Sequence, residues 1–183
     1  MENLFGIPET VGGAIFNNAG AFGTEISDVL ESTLVLDGNE MKSVSAKDLG
    51  FGYRKSNLKN NKQIVLSATF MLHSGSKDDI MTTMRECAQK RLQTQPQVKS
   101  AGSVFKRNEL APAGLLIDKC GLKGKTCGGA QISTKHVNFI INWGNSTSKD
   151  YKNLVELAKN EVYKKFGATL EREVEYWGEN NEG

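Results

Sequence analysis

The chain is poor in cysteine. Three occur in 183 residues, at Cys87, Cys120 and Cys127. An odd number with no C-x-x-C spacing excludes a disulfide framework and suggests no metal site, so reduced thiols in a cytoplasm are the expectation. Charge of one sign is scarce as well. Lysines and arginines number 23 against 21 acidic residues, for a net of +2. That balance gives no footing on nucleic acid or on an anionic membrane, and no basic run carries interleaved aromatics. No apolar stretch approaches the roughly 20 residues of a membrane span. The N-terminus has neither a charged n-region nor an apolar h-region, so no secretory signal is expected. Internal repeats and low-complexity tracts are also missing. What is left is 38% hydrophobic and 24% charged. This is the composition of a folded chain with one or two small domains and a real core.

Glycine is the residue with a pattern. Residues 6–25 hold Gly6, Gly12, Gly13, Gly20 and Gly23 among small and amide side chains, with almost no charge. Without a Cβ, backbone N–H groups approach a ligand closely and the chain reaches φ > 0. Consecutive exposed amides make an anion-binding concavity, and Pro8 stiffens its entry. A pyrophosphate-bearing cofactor suits this segment. An ordinary cluster of glycine-rich turns is the plainer alternative.

The rest of the chain mixes strand and helix patterns. Residues 33–36 and 41–44 read as strands joined at Asp37-Gly38, a hairpin pair. Residues 63–72 alternate Ile64, Leu66, Ala68, Phe70 and Leu72 with Val65, Ser67, Thr69 and Met71, predicting a strand with the first set buried. From Ser76 the period becomes helical, through Ile80, Met84, Cys87 and Ala88, and it stops near Pro96. A short helix is predicted over residues 112–119 and a strand over 137–142. A third helix starts at Thr147 or Ser148. It runs through Tyr151, Leu154, Val155, Ala158, Val162 and Phe166 and ends at Gly167. Residues 172–177 close as a strand. The class is α+β, with a boundary near residues 73–76.

The glycine segment closely resembles the flavin-binding segment of the UDP-N-acetylenolpyruvoylglucosamine reductase family. That family usually reads Gly-Ile-Pro-Gly-Ser/Thr-Val-Gly-Gly-Ala and then Asn-Ala-Gly-Ala-Tyr/Phe-Gly. Here Glu9 replaces the usual glycine. A carboxylate repels a diphosphate, so Glu9 is expected to point away or to sit on a different local backbone. Four further blocks follow in the family's order. Residues 48–57 resemble its Phe-x-Tyr-Arg-Asp-Ser segment. Residues 101–107 resemble Gly-Ser-Val/Phe-Phe-Lys. Residues 120–142 carry Gly-Leu-Lys-Gly, Gly-Gly-Ala-Gln and His-Val-Asn-Phe-Ile-Ile-Asn. Residues 170–174 resemble Leu-Glu-Pro-Glu-Val.

The resemblance implies reduction of UDP-N-acetylglucosamine enolpyruvate to UDP-N-acetylmuramate, with FAD as cofactor and NADPH as hydride donor. It implies cofactor binding by Gly6, Ile7, Pro8, Thr10, Val11, Gly12, Gly13, Asn18, Ala19, Gly20 and Gly23. It assigns Arg54 to the pyruvyl carboxylate, Ser103 to proton donation and Glu173 to the second acid. Read alone, Arg54 would be a surface ion pair, Ser103 a turn serine and Glu173 one of three strand-face carboxylates with Glu171 and Glu175. Tyr53, Lys106, Arg107, Lys123 and His136 are the implied substrate contacts. Lys106 is placed to steady a Ser103 alkoxide, with a solvated lysine as the alternative. His136 reads equally well as a structural histidine. Residues 58–103 form a short link without tyrosine, which resembles the shorter-loop subclass.

The implied organisation is a partial FAD-binding domain over residues 1–75 and a substrate-binding domain over 76–168. A C-terminal strand over 169–183 is expected to return to the FAD-binding side. The chain is expected to begin inside the family's second domain, with a first FAD domain encoded upstream. Two other readings compete with the reductase: a UDP-sugar-binding module without flavin, and a folded fragment without activity.

Overall fold

Alternation and turn chemistry set the first sheet. In the computed structural model, which describes residues 1–61 and 63–178, Leu30–Asp37 (β3) and Glu40–Ser45 (β4) pair antiparallel about Gly38, whose φ is +61°. Ile64–Phe70 (β5) pairs on the other side of β3, giving the order β4-β3-β5. The expected burial of Ile64 and Leu66 does not hold. The register shifts between Leu34, opposite Ser67, and Val35, opposite Val65, so Leu66 is the extra residue of a bulge. Parity flips there, because one added residue turns every later side chain to the other face. Val65, Ala68 and Phe70 face the core, while Ile64 and Leu66 are exposed.

The glycine segment is more ordered than its composition suggests. Val11–Phe16 form a short helix (α1), although Gly12 and Gly13 lie inside it. Thr10 caps it by accepting the Gly13 N–H at 3.0 Å. A Cβ on Gly12 would meet the Val65 side chain at 3.6 Å, an ordinary contact, so neither close packing on the sheet nor a positive φ demands glycine there. Gly20–Ala21 (β1) and Thr24–Glu25 (β2) then form a tiny hairpin. Its two corner residues, Phe22 and Gly23, both have positive φ, as a type I′ turn requires. Ile15, Ile26, Leu30, Val35, Leu49 and Leu58 make the core of this part. Leu58–Asn61 (α2) leads into β5.

The chain packs as two compact units, Met1–Gln93 and Thr94–Gly183. The sequence boundary at 75/76 therefore differs from the packing by one helix. Lys77–Thr94 (α3) buries only Cys87. It is tied to the start of the chain by Arg91 Nε, which donates to Phe5 O at 3.1 Å. Its weak apolar stripe lies in the first unit, with the glycine segment.

The second unit has a four-stranded sheet in the order β6-β9-β8-β7. Its strands are Ser100–Ser103 (β6), Thr126–Cys127 (β7), Ala130–Ile132 (β8) and Phe139–Asn142 (β9), all antiparallel neighbours. Ala113–Lys119 (α4) and Ser148–Phe166 (α5) pack over it. The reading of α5 is matched closely. Thr147 and Asp150 form a capping box, Leu154, Val155, Ala158 and Val162 are buried, and Gly167 ends the helix at φ +65°. The expected strand over residues 172–177 is reduced to one bridge, Arg172 to Phe105. Residues 179–183 of the expected C-terminal segment lie outside the described residues. No helix among the described residues is long and apolar enough to cross a membrane.

Candidate functional site

In the first unit, two motif blocks are locked to each other. Gly52 and Lys55 exchange backbone hydrogen bonds, each at 3.1 Å, so Tyr53 and Arg54 are the corner residues of a tight turn. Arg54 sits at φ +54°, a left-handed conformation that a bulky side chain adopts only under constraint. Its Nη2 donates to Gly20 O at 3.2 Å, and the guanidinium lies 5.1 Å from the Tyr53 ring. Asn18 supplies the constraint. Its side chain is buried, donates to Glu25 Oε2 at 2.8 Å and Gly52 O at 3.1 Å, and accepts from Ser27 N–H at 3.0 Å. The Asn18 side chain is thus consumed inside the protein and is not offered to a ligand. Ser56 Oγ completes the lock on Phe16 O at 2.6 Å.

The remaining glycine-segment residues fall into two groups. Gly6, Pro8, Thr10, Val11 and Gly23 are exposed, with Ile7, Gly12, Gly13 and Gly20 half-buried and Ala19 buried. Glu9 does not swing clear of them, since its carboxylate lies 4.0 Å from where a Gly13 Cβ would be, beside the start of α1. Arg91, which the sequence reading missed, offsets that charge. Its Cδ lies 3.6 Å from a Cβ built on Gly6, and its guanidinium is 5.1 Å from the Phe22 ring. Nη2 of Arg91 is buried with no hydrogen-bond partner. Burial pushes the Arg91 pKa down, with Cys87 and Glu9 opposing. A charged donor left without an acceptor is costly, so this corner has the chemistry of an anion subsite. Only the spacing of Lys90-Arg91 at the end of a helical pattern hinted at it.

In the second unit, Ser103 and Glu173 are brought onto neighbouring backbone. The β6–β9 register shifts between Ser100 and Ser103, and Gly102 takes φ +80°. This bulge re-aims the Ser103 segment. Glu173 N–H donates to Val104 O at 2.8 Å, and Lys106 N–H donates to Glu171 O at 2.9 Å. Both Ser103 and Glu173 are half-buried. The ammonium of Lys106 is bonded to the Glu171 carboxylate. Arg107 and Lys123 are exposed, the latter in a turn between Gly121 and Gly124.

His136 is a built residue. Its Nδ1 accepts the Asn138 N–H at 3.3 Å, which leaves the proton of the neutral ring on Nε2. The ring meets Phe139 edge-on at 4.9 Å, and its backbone N–H bonds Ser133 Oγ at 3.2 Å. Burial lowers its pKa, partly opposed by a backbone hydrogen bond. His136 therefore adds a neutral donor, not a cation, to the lining expected for a diphosphate. The unfolded ring titrates near 6.5 and takes up its proton first as pH falls. Stability from this group is complete above about pH 6.5 and declines below it, toward the lower folded pKa. Between pH 7 and 5 the chain is expected to lose melting temperature, and His136→Gln to flatten that slope. Parallel slopes for the two proteins would refute the assignment.

A cavity of about 320 Å³ lies elsewhere in this unit, against Ser100, Ile140, Asn142, Ser146 and Tyr151, and includes none of the predicted site residues. No group of three metal-binding side chains occurs among the described residues.

Residues 94–177 match the protein family described as UDP-N-acetylenolpyruvoylglucosamine reductase, C-terminal domain. The chain is 44% identical over 180 residues to the UDP-N-acetylenolpyruvoylglucosamine reductase of Thermosipho melanesiensis, covering 97% of this chain and 62% of that protein. It is 46% identical over 182 residues to the reductase of Pediococcus pentosaceus, covering 98% and 60%. Residues 94–177 thus carry the C-terminal domain of the UDP-N-acetylenolpyruvoylglucosamine reductase family. The crystal structure of the Thermus caldophilus UDP-N-acetylenolpyruvylglucosamine reductase superposes with a TM-score of 0.85 at 40% identity, over 96% of this chain and 63% of that one. The chain thus spans about three fifths of the length of these relatives, and the superposition supports the α+β class.

Proposed function

We propose that this chain supplies the cofactor-diphosphate segment and the substrate-binding domain of a cytoplasmic oxidoreductase. The reaction is reduction of UDP-N-acetylglucosamine enolpyruvate to UDP-N-acetylmuramate in peptidoglycan precursor synthesis. FAD is the proposed cofactor and NADPH the proposed hydride source. The observation that carries the reading is the backbone pairing of the Ser103 and Glu173 segments, inside the residues that match the family.

The residues present fit a flavin diphosphate. Arg91 Nη2 is a buried donor in need of an acceptor, next to the exposed residues around Gly6. Gly6, Ile7, Pro8, Thr10, Val11, Gly12, Gly13, Ala19, Gly20, Gly23 and the backbone of Asn18 would hold that group with Arg91. When bound, flavin supplies hydride transfer, which no side chain can perform.

The chain's own residues handle charge and protons. Arg54, beside Tyr53, offers paired planar donors to the pyruvyl carboxylate, where negative charge grows as the enol ether is reduced. Ser103 Oγ gives its proton to the substrate carbon next to the one that receives hydride. Glu173 is the second acid, helping to stabilise or protonate the intermediate, on backbone that pairs with Val104. Lys123 and Arg107 face the substrate diphosphate, His136 donates from Nε2, and Lys106 acts through its pair with Glu171.

Titrating the 183-residue chain with UDP-N-acetylglucosamine, followed by amide shifts, tests the substrate half of this reading. Shifts are expected around Ser103, Arg107, Lys123 and His136, and Lys123→Ala is expected to weaken binding about tenfold with the fold intact. Shifts confined to residues 1–60, or none at millimolar ligand, would sink it.

A further inference from the structure

We infer that Asn138 is a positioning residue for Ser103. Its buried carboxamide clamps both backbone groups of Phe105 and thereby fixes the bulged strand that presents the Ser103 hydroxyl. The assignment rests on the reading of Ser103 as proton donor.

The clamp is bidentate. Phe105 N–H donates to Asn138 Oδ1 at 3.1 Å, and Asn138 Nδ2 donates to Phe105 O at 2.9 Å. Val104 N–H donates to Asn138 O at 2.8 Å. Asn138 is 8% exposed, so water does not compete for these bonds. The reason for a side chain here is the bulge. Regular β6–β9 pairing stops at Ser103 opposite Phe139, and a buried peptide group beyond that point still needs a partner. The carboxamide takes the place of the missing strand rung.

Asparagine is the side chain of this length that carries one donor and one acceptor in a plane. Leucine would leave both Phe105 groups unsatisfied. Aspartate would keep the acceptor and turn an oxygen toward Phe105 O. On the opposite edge, residues 104–106 are held by Glu173 N–H and Glu171 O. The Ser103 segment is therefore pinned from two sides, one of them the segment bearing the second acid. Proton transfer from a hydroxyl depends on alignment to a fraction of an ångström, and that alignment is what the clamp secures. Asn138 also ties the site together through its own N–H, bonded to His136 Nδ1.

The test uses the 183-residue chain and Asn138→Asp. At pH 7.5 the introduced carboxylate breaks the bond to Phe105 O. Exchange of the Phe105 amide is expected to rise roughly 10- to 100-fold after correction for intrinsic rates. The Ser103 χ1 rotamer, read from Hα–Hβ couplings, should become averaged. At pH 4.5 the protonated acid copies the amide, and both readouts should return toward wild type. Wild type over the same pH range controls for His136. Asn138→Ser, neutral throughout, should show the averaging with no rescue at low pH. Amides of Leu154 and Val155 should stay protected in all variants. An unchanged Ser103 rotamer and Phe105 exchange in Asn138→Asp would overturn the proposal. Uniform acceleration across the unit would also overturn it, leaving Asn138 a stability residue. The titration with UDP-N-acetylglucosamine reads the substrate assignment separately, so either result can fail while the other stands.

Discussion

Ser103→Ala is expected to leave flavin reduction by NADPH at its original rate and to slow reoxidation by the enolpyruvyl substrate about a thousand-fold. The experiment is a stopped-flow comparison in a chimera, with this chain replacing the matching 180 residues of the Thermosipho melanesiensis relative. The two half-reactions separate because they need different groups. Arrival of hydride from NADPH involves no proton from the Ser103 hydroxyl. Reduction of the enol ether does, because the carbon next to the hydride acceptor must gain a proton. A serine hydroxyl is a poor acid alone, and only a strongly basic carbon, held in line, takes its proton. The Gly102 bulge, the Asn138 clamp that replaces its missing rung and the pairing of Val104 O with Glu173 N–H together constrain that line. Removing the hydroxyl leaves all three in place, so the loss reads chemistry and not folding. Equal rates for both half-reactions in the variant and its parent would remove Ser103 from the proton path.

Sequence reading serves best where one local rule decides the outcome. Thr147 and Gly167 set the ends of α5 by local chemistry, a capping hydroxyl and a residue free to take a positive φ, and Asp37-Gly38 sets a hairpin. It fails where a distant partner decides. The burial parity of β5 turns on a bulge against β3, which no alternation within residues 63–72 records. α3 carries an apolar stripe that says it packs, but not on which unit. Arg91 and Asn138 are ordinary residues in the one-letter chain. They gain meaning from burial and from partners 86 and 33 positions away. Motif blocks single out Arg54, Ser103 and Glu173, and the structure adds what the blocks cannot: the strained turn, the bulge and the shared backbone.

Glycine gives the sharpest separation of chemistry from construction. Gly128-Gly129-Ala130 belongs to one of the family blocks, and close backbone packing alone accounts for Gly129. A Cβ there would lie 1.9 Å from Gly144 O and 2.6 Å from Ser146 N. Both obstacles are backbone, so no rotamer change relieves them. Gly129 O also accepts from Trp143 N–H at 2.8 Å and Gly144 N–H at 3.2 Å. The Asp150 carboxylate that caps α5 draws its low pKa first from Thr147 and also from a hydrogen bond with Gly129. One methyl group therefore pushes the 143–146 loop away from the start of β8 and strains the hydrogen bonds that Gly129 makes there. Gly129→Ala is expected to cost about 3 kcal/mol or more, the upper range for overpacking with hydrogen bonds lost as well. Gly144→Ala is the matched control. A Cβ at Gly144 meets nothing within 4 Å, and the expected change is within about 0.5 kcal/mol. Urea unfolding of the two variants, read by fluorescence, separates the cases. Similar midpoints would mean that the Gly129 backbone relaxes at little cost and that the block owes its glycines to something other than close packing.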